Sequence, residues 1–319
     1  MTAHQSDNTL IYLKLFLTAV LWGGTFVAGR IAAQDMGPAS GSFLRFAVAS
    51  LLLIAMIWQA QGRLPIPARR QFIPLFLLGL SGVAAYNIFF FLGLKLIPAS
   101  RASLIVASNP VFIALGAALL FKERLTAARG AGIALCLTGA VIVISRGDLP
   151  GLLGAGIGTG ETFILGCIVS WVSYSLIGRG VLKEIPPLVA VAYACIIGTA
   201  LLALPALCEG MLPALPVYSL SSWSAVLFLG LLGSAVAFTW YYEGIKALGP
   251  TRAAVFINFV PVSGVFLGWL ILDEALNLSL LLGAALVITG AWLTNRTPAR
   301  EGKPPARPTR GPHSNLTTS

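Results

Sequence analysis

The sequence predicts an all-α integral membrane protein whose ten transmembrane helices form two five-helix repeats of inverted topology. Three observations carry that prediction. Hydrophobic residues make up 57% of the 319-residue chain, charged residues only 10%, and the mean hydropathy is +0.88. A soluble domain carries roughly 25% charge, so too few polar groups are present to cover a water-facing surface. The apolar residues fall into ten long runs, and the two halves of the chain repeat each other.

A spanning helix needs about 20 mainly apolar residues. The first run, 10–30, has Lys14 near its start and Arg30 at its end, with no small-residue cleavage site behind it, so it reads as a span and not a secretion signal. The second, 38–58, opens on Pro38 after Gly37; a proline there gives up only an N–H that has no helical partner. The third, 71–93, follows Leu64-Pro65-Ile66-Pro67, and the fourth, 98–120, contains Asn109-Pro110. Lys122-Glu123-Arg124 separates it from the fifth, 128–146. A Gly-rich linker, 147–159, leads to the sixth, 160–179, and Pro186-Pro187 starts the seventh, 186–207. The eighth, 222–242, the ninth, 250–272, and the tenth, 277–294, complete the set. The runs are continuous instead of alternating, which sets a β-barrel aside. Residues 1–9 form an N-terminal tail, and 296–319 a basic, Pro-rich tail expected to be disordered or to lie against an anionic leaflet.

From Leu78 to Ala140, 20 of 63 residues recur at an offset of 151. Gly79, Gly82, Gly93, Lys95, Arg101 and Pro110 return as Gly230, Gly233, Gly244, Lys246, Arg252 and Pro261. Trp22 and Arg30 return as Trp171 and Arg179 at an offset of 149. The units are therefore 10–146 and 160–295, five spans each, and an odd number of spans turns the second unit over in the membrane. Two inverted halves can exchange conformations and so expose a central site first on one face and then on the other.

Ten spans put both termini on one side. If that side is the cytoplasm, 16 of the 21 basic residues lie inside, 4 outside (Arg30, Lys95, Arg101, Arg146), and Arg45 falls within a span. Basic residues favour the cytoplasmic side, so both termini are expected there, in a cell (inner) membrane. The net charge of +10 is thus an orientation feature; no basic stripe with interleaved aromatics points to nucleic acid.

Other chemistry finds little support. The linker glycines Gly156, Gly158 and Gly160 run G-x-G-x-G, which is not the dinucleotide fingerprint, and no Gly-Lys-Ser/Thr follows to make a phosphate loop. Cys136, Cys167, Cys195 and Cys208 are widely spaced and His4 and His313 sit in the termini, so no metal site is assembled. No serine, base and acid form a hydrolytic set. The reading is of a non-enzyme without cofactor or metal.

Leu21-Trp22-Gly23-Gly24-Thr25-Phe26 resembles the opening motif of the drug/metabolite transporter superfamily, and Phe43-Leu44-Arg45-Phe46 resembles its F-x-R-F element. Lys122-Glu123-Arg124-Leu125-Thr126 with Gly132 and Gly139 is similar to the end of an EamA domain, and Asp273-Glu274-Ala275-Leu276-Asn277 with Gly283 and Gly290 forms its counterpart. The resemblance spans about 10–295. It implies two five-helix EamA repeats and the movement of small metabolites, often outward. The second half departs at Ser170-Trp171-Val172-Ser173-Tyr174 and lacks an F-x-R-F near 188–198.

Candidates for the substrate path or gate follow from residue chemistry. Arg45 lies about 10 Å into its span at 1.5 Å per residue. A charge there attracts an anionic group such as a carboxylate, pairs with an acid such as Glu161, or snorkels. As a set, Trp22, Phe43, Tyr86, Trp171, Tyr174, Trp240 and Tyr241 mix apolar area, all that Phe43 supplies, with hydrogen-bonding groups suited to a metabolite pocket; an interfacial aromatic belt is the competing reading. Tyr241 and Tyr242 read as interface anchors. Asn87, Asn109 and Asn258 need partners within the membrane, and Pro110 and Pro261 mark kinks for gating or packing. Glu161 and Glu243 stand near span ends, where a helix cap or a gate is open to each; proton coupling finds no deeply placed carboxylate. The expected cargo is a small molecule, amino acids or related compounds first, moved by alternating access. A broad-specificity exporter of lipophilic drugs and a non-transporting scaffold stay open, as does the choice between monomer and homodimer.

Overall fold

The computed structural model describes residues 3–122 and 125–296. Among them ten helices are long and apolar enough to cross a membrane: α1 Thr9–Asp35, α2 Pro38–Gln61, α3 Arg69–Leu96, α4 Ala99–Phe121, α5 Ala127–Ser145, α6 Thr159–Val181, α7 Pro187–Cys208, α8 Leu220–Leu248, α9 Arg252–Leu272 and α10 Leu278–Asn295. The first helix extends back to Ala3. The C-terminal tail beyond Arg296, and Glu123 and Arg124 of the charged connection, lie outside the described residues. We call the side on which α1 begins the near face and the opposite side the far face; odd-numbered helices run near to far.

Helix ends follow local chemistry. Pro38 starts α2 without costing a bond, and Gly62, at φ 70°, takes the left-handed conformation that closes it. Lys122 and Asp273 end α4 and α9 with φ 54° and 52°, and they occupy matching repeat positions. The linker is more ordered than its glycines suggest: the Asp148 side chain accepts from the Gly151 N–H at 2.9 Å and starts a short helix, Leu149–Ala155.

Glycine lets the repeats pack alike. A Cβ at Gly79 in α3 would meet Ile197 and the Ala194 carbonyl of α7, and one at Gly230 in α8 would meet Val48 and the Arg45 carbonyl of α2. These contacts are exchanged by the repeat, because Arg45 and Val48 correspond to Ala194 and Ile197 at the offset of 149. Gly93 against Ile164 and Gly244 against Leu15 form another exchanged pair. In α5 and α10, Gly132, Gly139, Gly283 and Gly290 bring the two backbones together, the close approach that small residues permit between membrane helices. Leu119, Val169, Leu204 and Leu270 are more than half exposed on the outside, as lipid-facing positions are.

Four helices are interrupted in matching pairs. In α3 and α8 the backbone widens into π turns, Gly79–Ala85 and Phe228–Val236. Such turns inside α-helices are frequent at functional sites. In α4 the regular helix stops at Val106 and restarts at Asn109, with Pro110 near the new start; in α9 it stops at Ile257 and restarts at Phe259. The break in α4 falls at Asn109-Pro110, and that in α9 falls at Asn258, three residues before Pro261, the proline expected to mark the kink.

Candidate functional site

Three of the four interruptions, those in α4, α8 and α9, border a cavity of about 710 Å³ between the two repeats, within the size range of small-molecule sites. Ala107, Asn109 and Pro110 of α4, Gly233 of α8, and Asn258, Val260 and Pro261 of α9 all contribute to its wall. Irregular backbone at membrane depth is tolerated where it lines such a cavity. Trp22 uses this feature directly: its indole Nε1 donates to the Gly233 carbonyl in the π turn of α8 at 3.1 Å.

Aromatic rings form much of the wall. Trp171 stacks on Tyr174 with centroids 5.1 Å apart, and Tyr86 tilts against Trp171 at 5.6 Å. Across the repeat axis, Trp22 packs against Tyr241 at 5.2 Å and Phe238 at 5.5 Å. Several wall positions are repeat-mates, including Trp22 with Trp171, Phe90 with Tyr241 and Pro110 with Pro261.

Arg45 breaks this symmetry, because its repeat-mate is Ala194. Its side chain lines the cavity, the residue is only 8% exposed, and Nη1 donates to Asn87 Oδ1 at 2.9 Å. Asn87 in turn donates Nδ2 to the Val83 carbonyl at 2.8 Å, which fixes the amide with its oxygen toward the guanidinium. The charged group lies 4.9 Å from the centre of the Phe46 ring and 5.8 Å from that of Phe90, within cation–π range. Arg45 Nε has no hydrogen-bond partner, and no ion pair joins Arg45 among the described residues.

Nine of the twelve sequence candidates line the cavity: Trp22, Arg45, Tyr86, Asn109, Pro110, Trp171, Tyr174, Asn258 and Pro261. Asn87 stands behind Arg45 as its hydrogen-bond partner. Phe43 and Trp240 are not part of the wall, and helix periodicity explains both. Phe43 is two residues, about 200°, from Arg45 and packs with the Ala39, Ala206 and Met211 cluster. Phe238, Tyr241 and Tyr242 share one face of α8 at i, i+3 and i+4, which leaves Trp240 off that face. Tyr241 and Tyr242, read from sequence as interface anchors, belong to the cavity wall. Glu161 is not the partner of Arg45; it pairs with Arg101 at 3.1 Å and Arg146 at 3.7 Å. Glu243 pairs with Lys14 at 2.7 Å.

Sequence reasoning missed Arg129, Arg179 and Asn295 in the wall. The recurrence of Arg30 as Arg179 was the one available pointer. These three residues sit at the near-face ends of α5, α6 and α10, so the cavity reaches toward that face.

On the far side, tight contacts separate the cavity from a second hollow of about 540 Å³ that Arg30, Asp35, Ser219 and Glu274 help to line. Gly23 of α1, Ser103 of α4 and Gly264 of α9 meet backbone against side chain. Beyond them, Glu274 accepts from the Ala99 and Ser100 N–H groups at 2.6 and 2.8 Å, capping α4 from the other repeat. Glu209 does the same for α2 through Ala39 and Ser40, at 2.9 and 2.8 Å. A carboxylate at a helix N-terminus satisfies unpaired donors and the helix dipole together.

The sequence matches the EamA-like transporter family over residues 9–145 and 158–296, which are the two five-helix units. The chain belongs to that family. Its members are transporters and not enzymes. Among relatives, the uncharacterised transporter YyaM of Bacillus subtilis is 26% identical over 280 residues, covering 88% of this chain and 92% of that protein. A Streptantibioticus cattleyicolor protein named "Probable terminal-alkyne amino-acid exporter" is 31% identical over 300 residues, covering 92% and 97%. The uncharacterised inner membrane transporter YedA of Escherichia coli is 28% identical over 264 residues, covering 81% of each. A solved crystal structure with 26% identity superposes with a TM-score of 0.62 and covers 90% of this chain and 97% of its own. This EamA-like chain is thus a multi-pass membrane protein of two inverted repeats.

Proposed function

We propose that this EamA-like protein is a secondary transporter working by alternating access, with an amino acid or related compound as its cargo and export as its direction. The observation that carries the reading is the cavity between the inverted repeats, extended toward the near face and separated from the far-face hollow by the tight contacts of Gly23, Gly264 and Ser103. Glycines on the closed side have repeat-mates in the cavity wall: Gly264, which meets Ser103, corresponds to Ile113, and Gly268, which meets Glu274, corresponds to Ala117. Exchanging the conformations of the halves would close the near side and open the far side.

The 16 to 4 distribution of basic residues supports assigning the near face to the cytoplasm, so the cavity would face cytoplasmic cargo. The name of the YedA relative supports an inner membrane, and that of the Streptantibioticus relative supports an amino-acid class and export. In this reading Trp22, Arg45, Tyr86, Trp171, Tyr174, Asn109 and Asn258 contact cargo, Asn87 positions Arg45, and Pro110 and Pro261 sit at the moving breaks.

The aromatic wall supports a second reading, a broad-specificity exporter of lipophilic compounds. Purified protein in liposomes separates the two when loaded with labelled amino acids or with lipophilic cations, with and without a proton gradient. Saturable amino-acid flux supports the first reading. Flux of lipophilic cations alone replaces it with the second, and no flux of either class removes both.

A further inference from the structure

We infer that the cargo is held by a carboxylate docked on Arg45, so that the cavity accepts amphipathic carboxylates and rejects cations. The inference rests on the transporter reading for its biological use, but the binding site it names is tested separately from flux.

A guanidinium offers five N–H donors in a planar fork suited to both oxygens of a carboxylate. Arg45 lines the cavity; Asn87 holds one of its donors, and Nε is enclosed by protein with no partner, so a carboxylate docks on the guanidinium from the cavity side and engages Nε only if the side chain shifts. The Asn87–Val83 bond fixes that arrangement, leaving the fork preorganised rather than mobile. A buried charge is costly unless paired, and no Asp or Glu lines this cavity among the described residues. The nearby carboxylates are engaged elsewhere: Glu161 with Arg101, Glu243 with Lys14, and Glu209 and Glu274 on helix ends.

The fold itself does not require arginine here. The backbone of Arg45 packs on Gly230 as that of Ala194 packs on Gly79, so an alanine meets the same helix-packing demand in the other repeat. Arg129 and Arg179 also line the wall, and the Arg45 guanidinium, which no acidic side chain neutralises among the described residues, repels a cationic cargo. The rings of Tyr86, Trp171 and Tyr174 supply the apolar surface for the rest of the molecule. Asn109 lines the cavity and its Oδ1 is buried without a hydrogen-bond partner; turned toward the cavity, that oxygen would accept from an α-ammonium group, which a plain carboxylate lacks. The carboxylate is the shared requirement, and the ammonium decides its source.

The experiment follows tryptophan fluorescence of the full chain in detergent during titration with L-phenylalanine, 3-phenylpropanoate and phenethylamine. The expected result is binding of at least one carboxylate probe, with the amine weaker by about tenfold or more, the discrimination of one charge-assisted contact. Phenylalanine tighter than phenylpropanoate assigns an amino acid; the reverse assigns a simple carboxylate; both uphold the dock. Equal or tighter binding of phenethylamine, or no binding of either carboxylate, overturns it. Arg45→Gln should weaken carboxylate binding by about tenfold and Arg45→Lys by less, and undiminished binding in a folded Arg45→Gln protein also overturns the inference. The three-probe comparison on the unaltered chain stands even if the variants do not fold. Carboxylate binding without flux in liposomes would leave the dock in place and remove only the transporter reading.

Discussion

Gly264 in α9 lies so close to Ser103 in α4 that a Cβ on the glycine would stand 2.7 Å from the serine Cβ. This contact bounds the cavity on its far side, where Ser103 lines the wall, while the repeat-mates Ile113 and Ala254 line it farther toward the near face. A glycine thus stands at the tight contact where its repeat-mate in the open part is an isoleucine. Gly264→Leu should hold this contact apart, because overpacking costs about 1–3 kcal/mol. A cysteine placed at Thr25 in the wall should then become reactive to an impermeant maleimide from the far face, where the parent protein protects it. Equal protection in both proteins would show that the contact does not control access.

Glu161, with its side chain 5% exposed, pairs with Arg101, whose side chain is 12% exposed. Removing one partner of a buried pair leaves the other charge uncompensated and costs about 3–5 kcal/mol. Glu161→Gln should lower the thermal unfolding midpoint in detergent clearly. Lys14–Glu243 is a contrasting case at 26% and 43% exposure, where pairs contribute about 0–1 kcal/mol. Glu243→Gln should leave the midpoint nearly unchanged, and the ordering of the two variants is the test.

Much of this architecture is legible in the sequence for physical reasons. Bilayer thickness sets run length, prolines and charges mark the gaps, and an odd number of spans forces the inversion. The cavity is only partly legible. Arg45 and the amides stand out because hydrocarbon excludes them, but an aromatic residue gives no such sign. Tyr241 and Trp240 are neighbours in an apolar run, and either ring suits lipid or cavity; only the helix phase relative to the other repeat places Tyr241 in the wall. The π turns of α3 and α8 carry no residue type that announces them, since Gly79 and Gly230 serve helix contacts equally well.

The α5–α10 contact joins the last helices of the two repeats. A Cβ at Gly139 would stand 2.7 Å from the Val287 nitrogen, which is backbone and cannot swing away. Gly139→Leu should therefore separate the pair and reduce the yield of folded, monodisperse protein. Gly130, on the same helix with nothing within 4 Å of its Cβ position, should accept alanine without loss and with a small gain in helix propensity. Comparing the two by size-exclusion profile and unfolding midpoint separates a packing effect from a general intolerance of substitution.

Trp22 and Trp171 are repeat-mates, yet their surroundings differ. Trp22 is tied through Nε1 to the Gly233 carbonyl, whereas Trp171 stacks on Tyr174. Phenylalanine keeps an aromatic face but removes the indole donor. Trp22→Phe should leave the π-turn carbonyl without that bond, a cost of about 1–3 kcal/mol for a buried acceptor, and loosen α1 from α8. Trp171→Phe preserves the stack and should change stability less, with its main effect on the affinity of an aromatic cargo. Unfolding midpoints and probe titrations of the two variants should therefore rank oppositely, stability falling more in Trp22→Phe and affinity more in Trp171→Phe. If both properties fall equally in both variants, the two tryptophans are equivalent wall residues and the π turn of α8 does not depend on the indole bond.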